Sequence, residues 1–311
     1  MHRDRQVSVE GATPRADGLG VLTGLGAYLW WGVVVLYWPL LEHVPATEVM
    51  AHRVLWALVL VLVCLTVARV PWSWVSVARR ESPRLVPAAF LVGANWLTYI
   101  WAVNSGHVAE ASLGYFLNPL VNVALGMLIL RERPGRAAVA GVAVAALGVV
   151  IVASAMAATI WVALVLALSF SAYGMVKRGV KIAPLPGLAV ETAVLLPFAL
   201  GYLLLGGTGA LVADAGTAWL LVGSGAITTV PLVLFAIAAP RLSFGLLGML
   251  QYIAPTTMLL IGVTYLGQSV PGAYWAGLAL VWVGFAGYMV GVAHKRRSGM
   301  KPVSCASGQR R

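Results

Sequence analysis

Apolar residues run through this chain in ten long blocks separated by short polar connections, at 19–41, 48–68, 85–104, 109–130, 137–154, 160–176, 185–206, 218–238, 244–266 and 273–292. Each block is about 18 to 23 residues long, close to the roughly 20 that a helix needs to cross about 30 Å of hydrocarbon. The pattern predicts an all-α integral membrane protein of ten transmembrane helices.

The connections alternate in charge. Arg69, Arg79, Arg80 and Arg84 fall in the second, Arg131, Arg133 and Arg136 in the fourth, Lys177, Arg178 and Lys181 in the sixth, and Arg241 in the eighth. The remaining Lys and Arg lie in the two tails, except Arg53; the intervening connections near 42–47, 105–108, 155–159, 207–217 and 267–272 carry none. Positive residues collect on the cytoplasmic side. Both termini are therefore expected in the cytoplasm of a multi-pass protein of the inner (plasma) membrane.

Composition agrees, with 60% hydrophobic and 10% charged residues. In a soluble protein the net charge of +11 would suggest nucleic acid. Here orientation and attraction to anionic lipid account for it, and no nucleic-acid partner is expected. Residues 1–18 and the basic stretch 293–311 read as cytoplasmic tails, and no cleavable signal peptide is expected. With Cys64 inside a span and Cys305 in the tail, no structural disulfide is expected.

The chain repeats itself. A shift of 136 places Pro119 on Pro255, Gly126 on Gly262, Gly141 on Gly277 and Gly148 on Gly284; a shift of 142 places Trp31-Gly32 on Tyr173-Gly174. The halves 19–154 and 155–292 hold five blocks each. An odd number makes the second half enter the membrane the opposite way, so the architecture reads as two inverted five-helix repeats, the symmetry that alternating-access transporters use.

Prolines mark the fourth and ninth spans. Pro119 and Pro255 are expected helix breaks at matching depth, since proline deletes a backbone hydrogen bond and frees a carbonyl. Tyr115, Asn118 and Asn122 share a face with Ser112, and Gln251, Tyr252, Thr256 and Thr257 flank Pro255. Asn95, Trp96 and Tyr99 on the third span are expected to face the same space, so the candidate substrate-binding set is Asn95, Trp96, Tyr99, Tyr115, Asn118, Asn122, Gln251, Tyr252 and Thr256. The alternative is kinks that serve packing. Spans 5 and 10 carry glycines every seven residues and read as peripheral supports or a dimer contact, leaving the chain a monomer or a weak homodimer.

Ionisable residues within spans are costly and mark function. Glu48 and His52 share a face of the second span, with Arg53 about 140° from Glu48. Arg53 must find an anion or water; Glu48 and Glu110, expected at similar depth, are candidate partners in an outer gate. Glu191 roughly mirrors Glu48, so Glu48, His52, Arg53, Glu110 and Glu191 form the gating or coupling set. Enzyme chemistry lacks its motifs: there is no G-x-x-x-x-G-K-[ST] and no HExxH, and Asp4, Asp17 and Asp214 all lie outside spans. No metal or cofactor is expected.

The stretches 48–56 (EVMAHRVLW), 95–122 (NWLTYIWAVNSGHVAEASLGYFLNPLVN) and 231–258 (PLVLFAIAAPRLSFGLLGMLQYIAPTTM) resemble RarD-type permeases of the EamA branch of the drug/metabolite transporter superfamily. The resemblance runs over about residues 19–292. It implies a permease exporting small metabolites or drugs, amphenicol-like compounds among them. In one departure, Gly267-Gln268 stands where related halves carry Gly-Glu. The expectation is a secondary active transporter, with protons as coupling ion and a midplane cavity lined by spans 1, 3, 4, 6, 8 and 9. The alternative is a non-transporting membrane sensor or permeability factor.

Overall fold

The computed structural model describes residues 18–129, 136–206, 209–242 and 250–299, which are helical with no strand among them. In chain order the helices are α1 (Gly18–Val33), α2 (Ala46–Val67), α3 (Trp74–Arg80), α4 (Ser82–Asn104), α5 (Val108–Leu128), α6 (Arg136–Ala155), α7 (Ile160–Lys177), α8 (Pro184–Leu204), α9 (Gly209–Ala213), α10 (Ala215–Ala238), α11 (Ile253–Thr264) and α12 (Gly272–Gly299). Seven helices are long and apolar enough to cross a membrane; Val139–Ala155 and Ile253–Thr264 are shorter apolar helices. The residues that line the bundle's outside are apolar, among them Leu22, Val63, Leu147, Val150, Phe198 and Val283. An apolar exterior fits lipid as solvent, where the backbone must satisfy itself internally and helices are the solution.

Three local departures from the sequence pattern have physical causes. The first block is not one α-helix: α1 ends at Val33 and the chain tightens into 3-10 turns at Val34–Leu36 and Trp38–Leu41, where Pro39 cannot donate back to Val35. The second connection contains α3, and the 207–217 connection contains α9. The last helix runs on to Gly299, beyond the expected boundary at 292. Arg131, Arg133 and the tail segments 1–17 and 300–311 lie outside the described residues.

The packing has a regular order. α5 packs on α7 as α11 packs on α1, α4 on α7 as α10 on α1, and α2 on α10 as α8 on α4; α2 meets α8, α5 meets α11 and α6 meets α12 directly. The glycine stripes of α6 and α12 face each other within this one chain. A Cβ on Gly141 would lie 2.5 Å from the Gly284 carbonyl oxygen, and one on Gly284 2.5 Å from that of Gly141, with Gly148 and Gly277 equally close. Small residues are what let two membrane helices approach this closely.

A buried apolar cluster of Trp38, Leu41, Val49, Tyr99, Ile100, Val103, Leu166, Leu221 and Met258 joins the 3-10 segment to α2, α4, α7, α10 and α11. It surrounds the polar groups described next.

Candidate functional site

Arg53 is the one Lys or Arg inside a predicted span, and α2 places it about 10 Å from the helix start at Ala46. Only 8% of it is exposed. Its Nε donates to Thr228 Oγ1 on α10 at 2.8 Å. The guanidinium lies over the Trp96 ring of α4 at 4.3 Å and the Trp38 ring at 5.3 Å. The 3-10 turns forced by Pro39 are what bring Trp38 there. Tyr99 and Tyr115 are near enough to interact with the charge. Nη1 makes no hydrogen bond.

Around this cation the polar groups divide into used and open. Asn95 donates through Nδ2 to Leu166 O and Ser169 Oγ, both at 3.0 Å, and accepts at Oδ1 from Tyr115 Oη at 3.1 Å. Thr228 gives its own proton to Ser224 O at 3.1 Å. Trp38 Nε1, Tyr99 Oη, Thr229 Oγ1 and both ring nitrogens of His52 are buried without a hydrogen bond, although Tyr99 approaches Trp38. The rings continue from Tyr99 to Tyr115 (centroids 5.8 Å) and on to Phe170 of α7 (6.2 Å).

The structure thus brings Asn95, Trp96, Tyr99 and Tyr115 together with Arg53. Asn118 lies one turn further along α5, 1% exposed, with neither amide atom bonded, while its carbonyl accepts from Ser171 at 3.4 Å. Asn122 is exposed. Pro119 does not break its helix, which runs unbroken from Val108 to Leu128. The interruption is at Gln251–Tyr252, and Pro255 sits in the first turn of the restarted α11, where its missing N–H has no partner to lose. The Pro255 carbonyl accepts from Ser112 at 2.8 Å, and Thr256 closes on Tyr252 O at 2.7 Å. Tyr252 packs towards α12, 4.7 Å from Phe285 and 5.7 Å from Trp282.

The acids are placed otherwise than a gate with Arg53 requires. Glu48 accepts from the Ala210 N–H at 3.0 Å, so α9 takes the carboxylate that Arg53 was expected to reach. Glu110 pairs with His107 at 3.4 Å. Glu191, 3% exposed, is held by Lys177 at 2.6 Å and by Tyr173 Oη at 3.0 Å, and Lys177 also donates to Tyr173. No described residue forms an ion pair with Arg53. Gln268, the departure from Gly-Glu, accepts from the Ala109 N–H at 3.0 Å and so caps α5. Among the described residues no group of three His, Cys, Asp or Glu is placed to hold a metal.

Sequence reasoning missed Trp38, Thr228, Tyr173 and Lys177. The first two carried a weak signal: a tryptophan beside a span-interrupting proline, and adjacent threonines in an apolar block. The second span also supplies the central charge, although only the other spans were expected to line the site. Apart from this cluster, a cavity of about 350 Å³ opens between Glu42–Ala46 and the α4 end at Trp101–Ser105.

Comparison with known proteins fits this geometry. The EamA-like transporter family matches residues 18–154. The chain is 44% identical to Protein RarD of Streptomyces exfoliatus over 85% of each chain. It is 38% identical to Protein RarD of Escherichia coli (strain K12), over 89% of this chain and 96% of that one. A crystal structure of a protein 22% identical to it shares the fold, with a TM-score of 0.60 over 87% of this chain and 97% of the other. These relatives make the chain a multi-pass membrane protein, and it belongs to the RarD-type permeases of the EamA-like transporter family.

Proposed function

We propose that the chain is a secondary active transporter that exports small metabolites or drugs by alternating access, with ten spans in two inverted five-helix repeats and both termini in the cytoplasm. The observation that carries this reading is the order of packing. Exchanging α1, α2, α4, α5 and α6 for α7, α8, α10, α11 and α12 turns every major helix pair into another major pair or into itself. Two halves so related can trade conformations, which moves an opening from one face to the other around a fixed site.

That site is the Arg53 cluster, where α2, α4, α5, α7 and α10 meet. Its groups sit on helices read here as spans, are held by Asn95 and Thr228, and include open hydrogen-bonding atoms. With no ATP motif in the sequence, the driving force is an ion or substrate gradient. Protons are the coupling ion of this reading, with His52, Glu48 and Glu110 as its coupling residues. Glu191, matched by Lys177, is read as structural.

The test is counterflow. Purified protein is reconstituted into liposomes loaded with a candidate substrate, and uptake of labelled tracer is followed against protein-free liposomes. Exchange above the control is the expected result. A protein that binds the compound yet exchanges none is the alternative, a membrane sensor. Orientation has its own test in a background without Cys64 and Cys305: cysteines at Gly106 and Gly216 label from outside intact cells and one at Gly179 does not. The reverse pattern overturns the orientation.

A further inference from the structure

Resting on the reading of the Arg53 cluster as the transport site, we infer that its occupant is an organic monocarboxylate with a flat, apolar body, whose carboxylate completes the hydrogen bonding of Arg53.

The argument starts from what Arg53 lacks. A buried cation needs an anion or its equivalent in hydrogen bonds, because taking a charge out of water is costly. Two aromatic faces offset that penalty only in part, and one hydroxyl accepts at Nε. Nη1 stays unbonded. The acids that sequence offered are engaged elsewhere, Glu48 by Ala210 and Glu110 by His107. The counter-charge that fits is one that arrives and leaves.

The neighbours define its chemistry. The open groups around the guanidinium are Trp38 Nε1–H, which can only donate and lies close to Tyr99, the Tyr99 and Thr229 hydroxyls, which can donate, and the His52 ring. Three acceptors beside it are already engaged, Asn95 Oδ1 by Tyr115, Leu166 O by Asn95, and Thr228 Oγ1 by Arg53 itself, while Asn118, a turn further along α5, keeps both side-chain amide atoms open. A buried cation flanked by hydrogen-bond donors matches a group that only accepts, and a carboxylate with its two oxygens is that group. An ammonium would meet the guanidinium with no acid to hold it, which disfavours amines and zwitterions. A phosphate dianion would bring two charges to one cation. The rings of Trp38, Trp96, Tyr99, Tyr115 and Phe170 supply apolar and π surface for the rest of the molecule.

Isothermal titration of the detergent-solubilised full chain at pH 7.5 tests this with matched probes: indole-3-acetate and 3-phenylpropionate, the primary amide of each, L-tryptophan, and tryptamine. Each acid is expected to bind at least about tenfold more tightly than its amide, with tryptophan and tryptamine weaker than indole-3-acetate. The preference should fall to near unity in Arg53→Gln and survive in part in Arg53→Lys, which keeps the charge without the fork. Because the acid-to-amide ratio is read on the unaltered protein, the test holds even where Arg53→Gln does not fold. Equal binding of acid and amide, tighter binding of tryptophan or tryptamine, or no binding of either acid to protein that still melts cooperatively would overturn the inference. Counterflow with the same acids, corrected for passive leak in protein-free liposomes, separates the two readings: an acid that binds through Arg53 but is not exchanged leaves the carboxylate site standing and removes the transporter.

Discussion

Two buried charges, one in each half of the chain, have been treated in opposite ways. Glu191 on α8 is enclosed with a cation and a phenol that answer it fully: Lys177 and Tyr173 of α7 lie 2.6 and 3.0 Å away and bond to each other. Arg53 on α2 is enclosed with two indole rings, one threonine hydroxyl and no acid. Both are equally expensive to bury. The first arrangement is complete as it stands, and ties α7 to α8. The second has no counter-charge among the described residues, which is why it is the one proposed to bind substrate. In a membrane, where an unanswered charge has no water to turn to, that difference separates a brace from a binding site.

Breaking the brace should give the largest loss of stability. Lys177→Met leaves Glu191 buried without its cation, and unfolding in detergent should show a loss near the lower end of about 3–5 kcal/mol, since Lys177 is partly exposed. Adding Glu191→Gln should recover more than half of it. A double variant as unstable as the single one would mean the pair is not self-contained. The α6–α12 support gives a second, smaller effect. Gly148→Ala should lower stability by about 1–3 kcal/mol through overpacking, while Gly201→Ala, whose Cβ meets nothing within 4 Å, should be neutral or slightly stabilising. Equal effects at the two glycines would remove the close-packing account.

On the site's side, the effects should appear in binding and transport instead. Thr228→Val removes the acceptor at Arg53 Nε and should weaken apparent substrate affinity by about fivefold, the equivalent of about 1 kcal/mol, with little change in melting temperature. A large drop in melting temperature with unchanged affinity would make Thr228 part of the brace rather than of the site. The smallest effect lies outside the spans, at the N-cap of α10. The Asp214 carboxylate accepts from Thr217 N–H at 2.8 Å, and hydrogen bonding from the Thr217 side chain and then its backbone lowers the Asp214 pKa from the usual carboxylate range. A lowered folded-state value contributes stability that is present above the unfolded value and is lost as pH falls through the folded one. Asp214→Asn should thus narrow the gap in melting temperature between pH 6 and pH 3, and an unchanged gap would assign the acid sensitivity elsewhere.

The brace and the site differ too in how far the sequence disclosed them. Block lengths located the apolar helices, seven of which are long enough to span among the described residues, because hydrocarbon thickness acts on each span separately. Arg53, Asn95, Trp96, Tyr99 and Tyr115 stood out as polar or aromatic residues at helical spacing. Their partners did not. Trp38 reaches Arg53 only because Pro39 converts the end of the first block into 3-10 turns, and Thr228 only because α10 packs on α2. Glu48 was assigned to Arg53 by depth alone, whereas α9, a helix too short to stand out in the pattern, offers it a backbone N–H. Lys177 read as an orientation charge until α8 set Glu191 against it. Depth in a span is a property of one helix; partnership is a property of two.

The most direct measurement compares the two charges in one assay: counterflow by Arg53→Met and by the double variant Lys177→Met/Glu191→Gln, each normalised to folded protein in the membrane. Replacing an unpaired buried charge with an apolar chain of similar length should leave stability unchanged or raised, so the account predicts an Arg53→Met protein that melts like the parent and transports nothing, beside a double variant that melts lower and still transports. Parental transport by Arg53→Met, with no transport by an equally well folded double variant, would contradict it and move the site to Glu191.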